Sequence, residues 1–365
     1  MNELARFISE IIAETGPISL ETYMNFAMLH PRHGYYATKA PLGATGDFTT
    51  APEISQIFGE LVGLWAAAVW RSMGAPKPFI LAELGPGRGS LMADALRATR
   101  TVPDFHDAAD LRLVEASGPL RQSQRAALAA FPLRPVWHRM VGELPSGPAI
   151  IIANEFFDCL PIRHFVRGKD GWHEKLVGLD DSGNFRFGLA PDPEPSLTGT
   201  NGLGQRRGEI LEVGFAASQL MSGIAARLTT QGGALIVVDY GYDSPPLSET
   251  LQAIKQHRFT DPLRDPGEAD MTAHVNFSSL AEAARAAGAK VYGPVPQGEW
   301  LARLGVHARA AALKQRANDR QRAEIESAVF RLAGGCAVEA PATSMARLFK
   351  ALAVTAPGLA PPPGF

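Results

Sequence analysis

The segment best suited to hold a ligand is a run of alternating glycines, Glu83-Leu84-Gly85-Pro86-Gly87-Arg88-Gly89. It joins an apolar run to a helical pattern, and glycine lets the backbone approach a bound molecule at such a turn. A dinucleotide fingerprint would have its third glycine where Ser90 stands. The G-x-G-x-G spacing, with Glu83 two positions before it, favours S-adenosylmethionine, which carries an amino group and a sulfonium. A nucleotide cofactor such as NAD, or an ordinary tight turn, stays the alternative.

Carboxylates follow three of the apolar runs. Glu115 ends the second run, where it can accept both ribose hydroxyls of an adenosine, whichever cofactor carries it. Glu155 and Asp158 follow the fourth run and Asp239 ends the fifth, and ligands of open α/β sheets bind at these strand ends. Two carboxylates suit a cationic nucleophile such as a guanidinium, which is always protonated and presents a rigid fork of donors. We therefore predict Glu155, Asp158 and Asp239 as catalytic, with helix or turn capping as the alternative for Glu155 and Asp158.

Two further residues are predicted on the cofactor side of the same edge. Asn154 is the last residue of the fourth apolar run, and His138 follows the third, where its ring can stack near adenine. A loop histidine with ordinary hydrogen bonds is the alternative for His138. No spacing of histidine, cysteine and acid matches a metal site, so no metal is predicted.

Apolar runs that alternate with helical patterns predict the sheet that positions these residues. The runs cover 79–84, 111–115, 136–137, 149–154 and 233–240, which indicates a doubly wound α/β sheet. Residues 1–75 are predicted as a helical and looped extension, and 76–355 as the main domain. Insertions are expected at about 160–207, where the pattern suggests β-hairpins, and at 243–276. The proline-rich end, 356–365, is expected to be flexible.

Composition excludes several classes of function. The chain has 365 residues and a net charge of −2, so no overall field recruits nucleic acid or anionic lipid. Its two cysteines, Cys159 and Cys336, cannot build a disulfide framework. No apolar run approaches the roughly 18 residues of a membrane span, and no secretory signal is evident, so a cytoplasmic protein is predicted. The oligomeric state is not fixed by the sequence.

Five segments in order resemble the MidA-type methyltransferases, and the resemblance covers about residues 3 to 355. The segments are Gly46-Asp47-Phe48-Thr49-Thr50-Ala51-Pro52-Glu53-Ile54-Ser55, Glu83 to Gly89, Asn154-Glu155-Phe156-Phe157-Asp158, Asp239-Tyr240-Gly241-Tyr242 and Gly267-Glu268-Ala269-Asp270-Met271-Thr272-Ala273-His274-Val275. Several ordered segments are more specific than one glycine turn.

The resemblance implies a class I, Rossmann-like methyltransferase fold whose N-terminal extension covers the cofactor. It implies S-adenosylmethionine contacts at Gly46, Asp47, Thr49 and Thr50, in addition to those expected at Glu83, Gly85, Gly87, Gly89, Glu115, His138 and Asn154. It also implies symmetric dimethylation of an arginine in a core subunit of NADH:quinone oxidoreductase (complex I) during assembly. An assembly chaperone that binds S-adenosylmethionine for stability, or a methyltransferase acting on a small amine or another protein side chain, remains the alternative.

Overall fold

The computed structural model describes residues 2–38, 50–197, 204, 206–335 and 344–365. Gly46, Asp47, Thr49 and Cys336 therefore lie outside the described residues. The chain begins with helices that pack through apolar faces; in α1 the buried positions recur at helical spacing, and Asn2 caps its first turn. The N-terminal elements are α1 (Glu3–Thr15), β1 (Ile18–Ser19), α2 (Leu20–Leu29), α3 (Tyr35–Thr38), α4 (Ala51–Ile54) and α5 (Gln56–Ser72).

The first half of the main domain alternates strands with helices, as the apolar runs predict. Its elements are β2 (Phe79–Leu84), α6 (Ser90–Thr99), α7 (Phe105–Ala108), β3 (Ala109–Val114), α8 (Gly118–Leu128), β4 (Val136–His138) and β5 (Ala149–Asn154). Every residue of β2 and β5 is buried, because helices cover both faces of these parallel strands.

A region of antiparallel strands interrupts the alternation after β5. It comprises β6 (Arg163–Arg167), β7 (Trp172–Leu179), β8 (Phe185–Leu189) and β9 (Ile210–Val213), followed by α9 (Phe215–Gln231) and β10 (Gly233–Tyr242). The N-terminal strand β1 pairs antiparallel with β7, so the extension and this insertion share one sheet.

The last third of the chain contributes a small sheet, three strands of the central sheet and a group of helices. Its elements are β11 (Gln252–Lys255), β12 (Arg258–Thr260), β13 (Asp270–Thr272), β14 (Val275–Asn276), α10 (Phe277–Ala286), β15 (Lys290–Pro296), α11 (Gln297–Arg303), α12 (Val306–Lys314), α13 (Asp319–Ala333), α14 (Met345–Leu348) and β16 (Phe349–Thr355). Strands β12, β11 and β13 form a separate antiparallel sheet in that order.

The central sheet has the strand order β15-β16-β10-β5-β2-β3-β4, with β14 pairing beside the end of β10. Strands β10, β5, β2, β3 and β4 are parallel, and β16 runs antiparallel to both of its neighbours. The doubly wound α/β prediction is therefore confirmed. The strand order reverses at β2, where the chain runs outward through β3 and β4 and then returns to β5. The crevice between the carboxyl ends of β2 and β5 is the position where this architecture binds ligands.

The end of the chain differs from its expected flexibility. The Ala356 N–H donates to the Gly233 carbonyl at 2.9 Å, the Arg303 guanidinium donates to the Gly364 carbonyl at 3.1 Å, and Phe365 packs against the core. The proline-rich composition predicts flexibility, but it does not reveal these contacts with the rest of the chain. Within the described ranges no helix has both the length and the apolar character of a membrane span.

Candidate functional site

A cleft of about 380 Å³ opens at the switch point between β2 and β5. Its volume lies in the range of small-molecule and cofactor sites. The ends of β2, β3, β5 and β10 form its floor, and residues from α2, α3 and α4 form part of its wall. The cleft has two chemically different ends, a cofactor end built on the glycine turn and an acidic end built on the segment after β5.

The glycine turn approaches the cleft through two of its three glycines. Gly85 and Gly87 have positive φ angles of 61° and 53°, and both line the cleft. A Cβ atom at Gly85 would lie 2.9 Å from the Phe156 ring. Gly89 instead faces α8, where a Cβ would meet the Gln124 backbone at 3.2 Å. The structure therefore places Gly89 at a helix contact and not in the cleft, contrary to its predicted cofactor contact.

Two buried carboxylates stand at the cofactor end. Glu83 is 2% exposed, and within the described residues its Oε2 atom has no hydrogen-bond partner. Burial, followed by the charge of Glu115, raises the pKa of Glu83 to about 8. Glu115 accepts hydrogen bonds from the Ser117 N–H at 2.8 Å and the Gln124 amide at 3.1 Å, and burial raises its pKa. The orphaned oxygen of Glu83 and the open turn fit a ligand with a cationic group, while Glu115 fits hydroxyl donors.

The segment after β4 forms the outer wall of the cofactor end. Arg139, Met140 and Val141 line the cleft there, whereas His138 does not. The His138 ring lies beside Arg112, 3.4 Å from its guanidinium, and burial together with that charge lowers the histidine pKa. His138 therefore does not reach the cleft in which its stacking on adenine is predicted, whereas Met140 lines that wall.

Glu155 turns into the acidic end through an unusual backbone conformation. Its φ of 48° is in the left-handed region, which non-glycine residues rarely occupy outside strained functional positions. Its N–H donates to the Val238 carbonyl, and its Oε1 accepts from the Ala51 N–H and the Asn154 amide, both at 3.1 Å. Burial raises the pKa of Glu155 to about 7. Asn154 lines the cleft as predicted, and its Oδ1 has no partner among the described residues.

Asp158 lies on the same wall, within the acidic end. Burial raises its pKa to about 6, and a hydrogen bond from the Tyr240 hydroxyl opposes that increase. Its Oδ1 atom is buried and finds no partner in the part of the chain that is described. Asp270 of β13 also faces this space and accepts a hydrogen bond from the Tyr36 hydroxyl at 3.3 Å. Three carboxyl groups therefore share a pocket walled by two tyrosines.

Asp239 supports this arrangement from beneath. Its Oδ2 accepts hydrogen bonds from the backbone N–H groups of Phe156, Phe157 and Asp158 at 3.1, 2.9 and 3.3 Å, and its Oδ1 accepts from the Tyr240 N–H at 3.0 Å. Asp239 is fully buried and does not line the cleft. It is a positioning residue for the 155–158 segment, not the substrate contact that its strand-end position predicts.

The N-terminal extension closes one side of the cleft. Thr50 lines the cleft and stands at the N-cap position of α4, where its side chain makes no capping hydrogen bond. The hydrogen bond from the Ala51 N–H joins α4 to Glu155. The next residue of interest, Glu53, accepts a hydrogen bond from the Ser90 hydroxyl at 2.5 Å and lies 3.7 Å from the Arg88 guanidinium. The extension therefore contacts both ends of the cleft.

Several residues line the cleft without a role predicted from the sequence. They are Tyr36, Glu53, Arg88, Ser90, Met140, Cys159, Tyr240, Asp270 and Thr272. All but Tyr36 and Met140 lie in the segments of family resemblance or next to them, so those segments are the signal that could have found them. In the described parts of the chain, no group of three or more histidine, cysteine or acidic side chains is placed to hold a metal ion.

Comparisons with known proteins agree with this geometry. A family model of S-adenosyl-L-methionine-dependent methyltransferases matches residues 61–295. The chain is also similar to a solved structure from Burkholderia thailandensis, described as a methyl transferase bound to S-adenosyl-homocysteine. The TM-score is 0.86 at 28% identity, and the match covers 99% of this chain and 93% of that one.

Curated relatives give a more specific similarity. The chain is 37% identical over 335 residues to the zebrafish (Danio rerio) protein arginine methyltransferase NDUFAF7, mitochondrial, covering 85% of this chain and 78% of the relative. It is 35% identical over 340 residues to the human protein of the same name, covering 87% and 76%. These names contradict the predicted cytoplasmic location, because both relatives are named as mitochondrial.

Proposed function

Because the chain belongs to the family of S-adenosylmethionine-dependent methyltransferases, we propose that it transfers the methyl group to arginine side chains of a protein. S-adenosylmethionine is its cofactor. The observation that carries the choice of arginine is the buried acidic end, where Glu155, Asp158 and Asp270 face one space beside the glycine turn. The names of the zebrafish and human relatives support the same choice.

Carboxyl groups that are buried close together are stabilised in their ionised form by a cationic partner. Burial of unpaired charges is costly, and here it raises the pKa of Glu155 to about 7 and that of Asp158 to about 6. A guanidinium compensates this cost because it brings a delocalised charge and five N–H donors, and it stays protonated at every physiological pH. The Oδ1 of Asp158, which has no partner among the residues that the structure describes, is an acceptor for one of these donors. An uncharged acceptor leaves the carboxyl groups without compensation.

The residues of the acidic end align the nucleophile and remove its proton. Carboxylates that bind two guanidinium nitrogens leave the third nitrogen pointing toward the cofactor end. The same contacts that bind the arginine therefore also orient its attacking nitrogen. Once the methyl carbon has exchanged its bond to sulfur for a bond to the attacking nitrogen, that nitrogen loses a proton, which Glu155 accepts. A pKa of about 7 lets Glu155 alternate between its two protonation states near neutral pH.

The cofactor end binds and positions the methyl donor. The sulfonium supplies an electrophilic methyl group, which is the only chemistry that the cofactor contributes. Gly85 and Gly87 let the ligand approach the backbone, Glu83 offers its buried carboxyl to the amino group, and Glu115 accepts from the ribose hydroxyls. Apolar cleft residues such as Phe156 and Leu160 exclude water from the reacting atoms.

The family resemblance extends the proposal to the protein substrate. We propose that the substrate is a core subunit of NADH:quinone oxidoreductase, and that the product is symmetric dimethylarginine formed during assembly. The acidic end supports an arginine substrate, and the resemblance alone supports the subunit and the symmetric product.

Mass spectrometry of the purified oxidoreductase tests this proposal. The complex is isolated from a strain that lacks the protein and from strains that express either the wild-type chain or Glu155→Gln. We expect one dimethylated arginine that is present with the wild type and absent in the other two samples. Complete methylation without the protein would refute the substrate assignment. Normal assembly supported by Glu155→Gln, with no methylated arginine, would favour the chaperone alternative.

A further inference from the structure

We propose that the small sheet of β11, β12 and β13, with the groove beside it, binds the polypeptide that flanks the target arginine. In this inference Phe259 is the main apolar contact for an extended segment of the substrate. The inference rests on the proposed function, since it assumes that the acceptor is an arginine within a protein.

One face of the small sheet continues outward from the acidic end of the cleft. Asp270 pairs with Ile254, and Ile254 pairs with Phe259, so the three side chains form one cross-strand row on the same face. Asp270 is 6% exposed, Ile254 is half-buried and Phe259 is 77% exposed. The row therefore leads from the reacting carboxyl groups to the solvent without leaving the sheet.

The opposite face of the same sheet is already occupied. Met271 and Ala253 pair with each other, are buried and pack in the hydrophobic cluster formed by the N-terminal helices. The sheet therefore packs against the N-terminal helices through this face, and the row that ends at Phe259 lies on the opposite face. Among the large apolar side chains that the structure describes as exposed, Phe259 is the most exposed.

A groove of about 630 Å³ begins where the acidic end of the cleft stops. Gln252 forms the partition, because it lines the groove and donates hydrogen bonds to the Thr272 hydroxyl at 3.1 Å and the Tyr240 hydroxyl at 3.5 Å, two residues of the cleft wall. Phe259, Leu251 and Leu348 give the groove apolar sides. An arginine side chain that enters the cleft places its own backbone beside this groove.

Strand geometry sets the position of the apolar contact in the substrate. Asp270 and Phe259 are separated by two strand spacings of about 4.8 Å each, or roughly 10 Å. The arginine side chain, whose guanidinium lies at the acidic end, already spans part of this distance, and an extended polypeptide rises about 3.3 Å per residue. We therefore expect an apolar residue within about three positions of the target arginine. A second copy of this chain is the competing occupant.

A positional peptide scan tests the inference. Eleven-residue peptides carry a central arginine in a glycine and serine background, with one phenylalanine placed in turn at each position from −5 to +5. Methyl transfer from labelled S-adenosylmethionine is measured for these peptides and for oxidoreductase isolated from the strain that lacks the protein. The enzymes are the wild type, Phe259→Ala and the matched control Phe330→Ala, which removes another exposed phenylalanine on α13.

For the wild type, we expect a maximum of kcat/KM when phenylalanine stands at one position within about three residues of the arginine. Phe259→Ala should lower kcat/KM for that peptide, or for the isolated oxidoreductase, about tenfold through KM, since an aromatic contact in binding has about this value. It should flatten the positional preference and leave kcat near the wild-type value. Phe330→Ala should match the wild type in every measurement.

Three results would overturn the inference, and they are distinguishable from failure of the proposed function. The wild type could methylate arginine with no positional preference and no dependence on Phe259, or Phe259→Ala could keep the full preference. A dimer in sedimentation velocity that Phe259→Ala dissociates would assign the groove to a second copy of the chain. Absence of arginine methylation by the wild type in both peptides and oxidoreductase would instead refute the proposed function itself.

Discussion

The two ends of the cleft are assembled in different ways. The cofactor end uses one continuous strand, turn and helix, with Glu83 and the glycines within seven residues, and adds Glu115 from the adjacent strand. The acidic end combines Tyr36, the 155–158 segment, Tyr240 and the Asp270–Thr272 strand, which come from distant parts of the chain. The cofactor end is therefore built mainly from one local stretch of sequence, whereas the acidic end depends on long-range packing of the N-terminal extension, β10 and the second insertion.

The two ends also treat buried carboxyl groups differently. Glu83 has an oxygen with no partner in the described residues, and its pKa is raised to about 8. Glu155 is buried as well, but two hydrogen-bond donors contact its Oε1 and its pKa is raised only to about 7. Hydrogen bonds to the ionised form explain the difference. At neutral pH, Glu83 is protonated until a cation binds, while Glu155 is close to half-ionised.

The largest effect is expected at the cofactor end, from Gly87→Val. A β-branched side chain at a φ of 53° is strained and projects toward the ligand space, so we expect no detectable cofactor binding, a loss of more than about a hundredfold. The free energy of unfolding should fall by only about 1–3 kcal/mol. Isothermal titration and thermal unfolding measure the two quantities. Gly118→Ala, at a helical glycine with open space around its Cβ position, is the control. Retained binding in Gly87→Val would remove the glycine turn from the cofactor site.

The next largest effect is expected at the acidic end, from Glu155→Gln. The amide keeps the oxygen that accepts from the Ala51 N–H but removes the charge and the proton acceptor, so kcat should fall about 10²–10⁴-fold. Cofactor affinity should stay within about threefold of the wild-type value, because the change lies at the other end. Equal losses of kcat and cofactor affinity would show that the two ends are not separable. Unchanged kcat would reduce Glu155 to a capping residue.

Asp239→Asn tests whether the acidic end depends on support from beneath. The amide cannot accept all four backbone N–H groups with its single oxygen, so the 155–158 segment should lose its fixed geometry. We expect kcat to fall about tenfold to a hundredfold and the free energy of unfolding to fall by about 1–3 kcal/mol. The pH dependence of kcat should shift as well, because Glu155 and Asp158 move. An unchanged pH profile with lower stability would make the role of Asp239 purely structural.

The sequence predicts the parallel sheet well, because each buried strand is a short apolar run with its own local signal. Phe79–Leu84 and Ala149–Asn154 match their predicted bounds. No strand is predicted at Phe349–Thr355, although it lies inside the central sheet. Lys350 interrupts this short segment, and two of its other residues are alanine, so its local apolar signal is weaker than that of β5.

For the site, the sequence indicates which strand ends meet but not which side chain faces the cleft. Asp239 and Tyr240 are consecutive, and successive residues of a strand point to opposite faces. The strand-end position predicts Asp239 as a cleft residue, whereas Tyr240 lines the cleft and Asp239 binds the segment beneath. At the end of β4, His138 is likewise outside the cleft lining, whereas the next residue, Arg139, lines it. The twist and packing of the assembled sheet decide which of two consecutive residues points into the cleft. No single sequence motif carries that information.

A change of pH, without any substitution, is also expected to separate the two ends. Below pH 8, cofactor binding must remove a proton from Glu83, so the dissociation constant should fall by up to about tenfold per unit as the pH rises from 6 toward 8. For the acceptor, kcat/KM should rise with apparent pKa values between about 6 and 7, since Glu155 and Asp158 of the free enzyme must be ionised to bind the guanidinium. Calorimetry in buffers of different ionisation enthalpy counts the released proton, and Glu83→Gln should reduce that count to near zero without moving the pH profile of kcat/KM for the acceptor. A single pKa that governs both measurements would mean that the two ends share one titrating network.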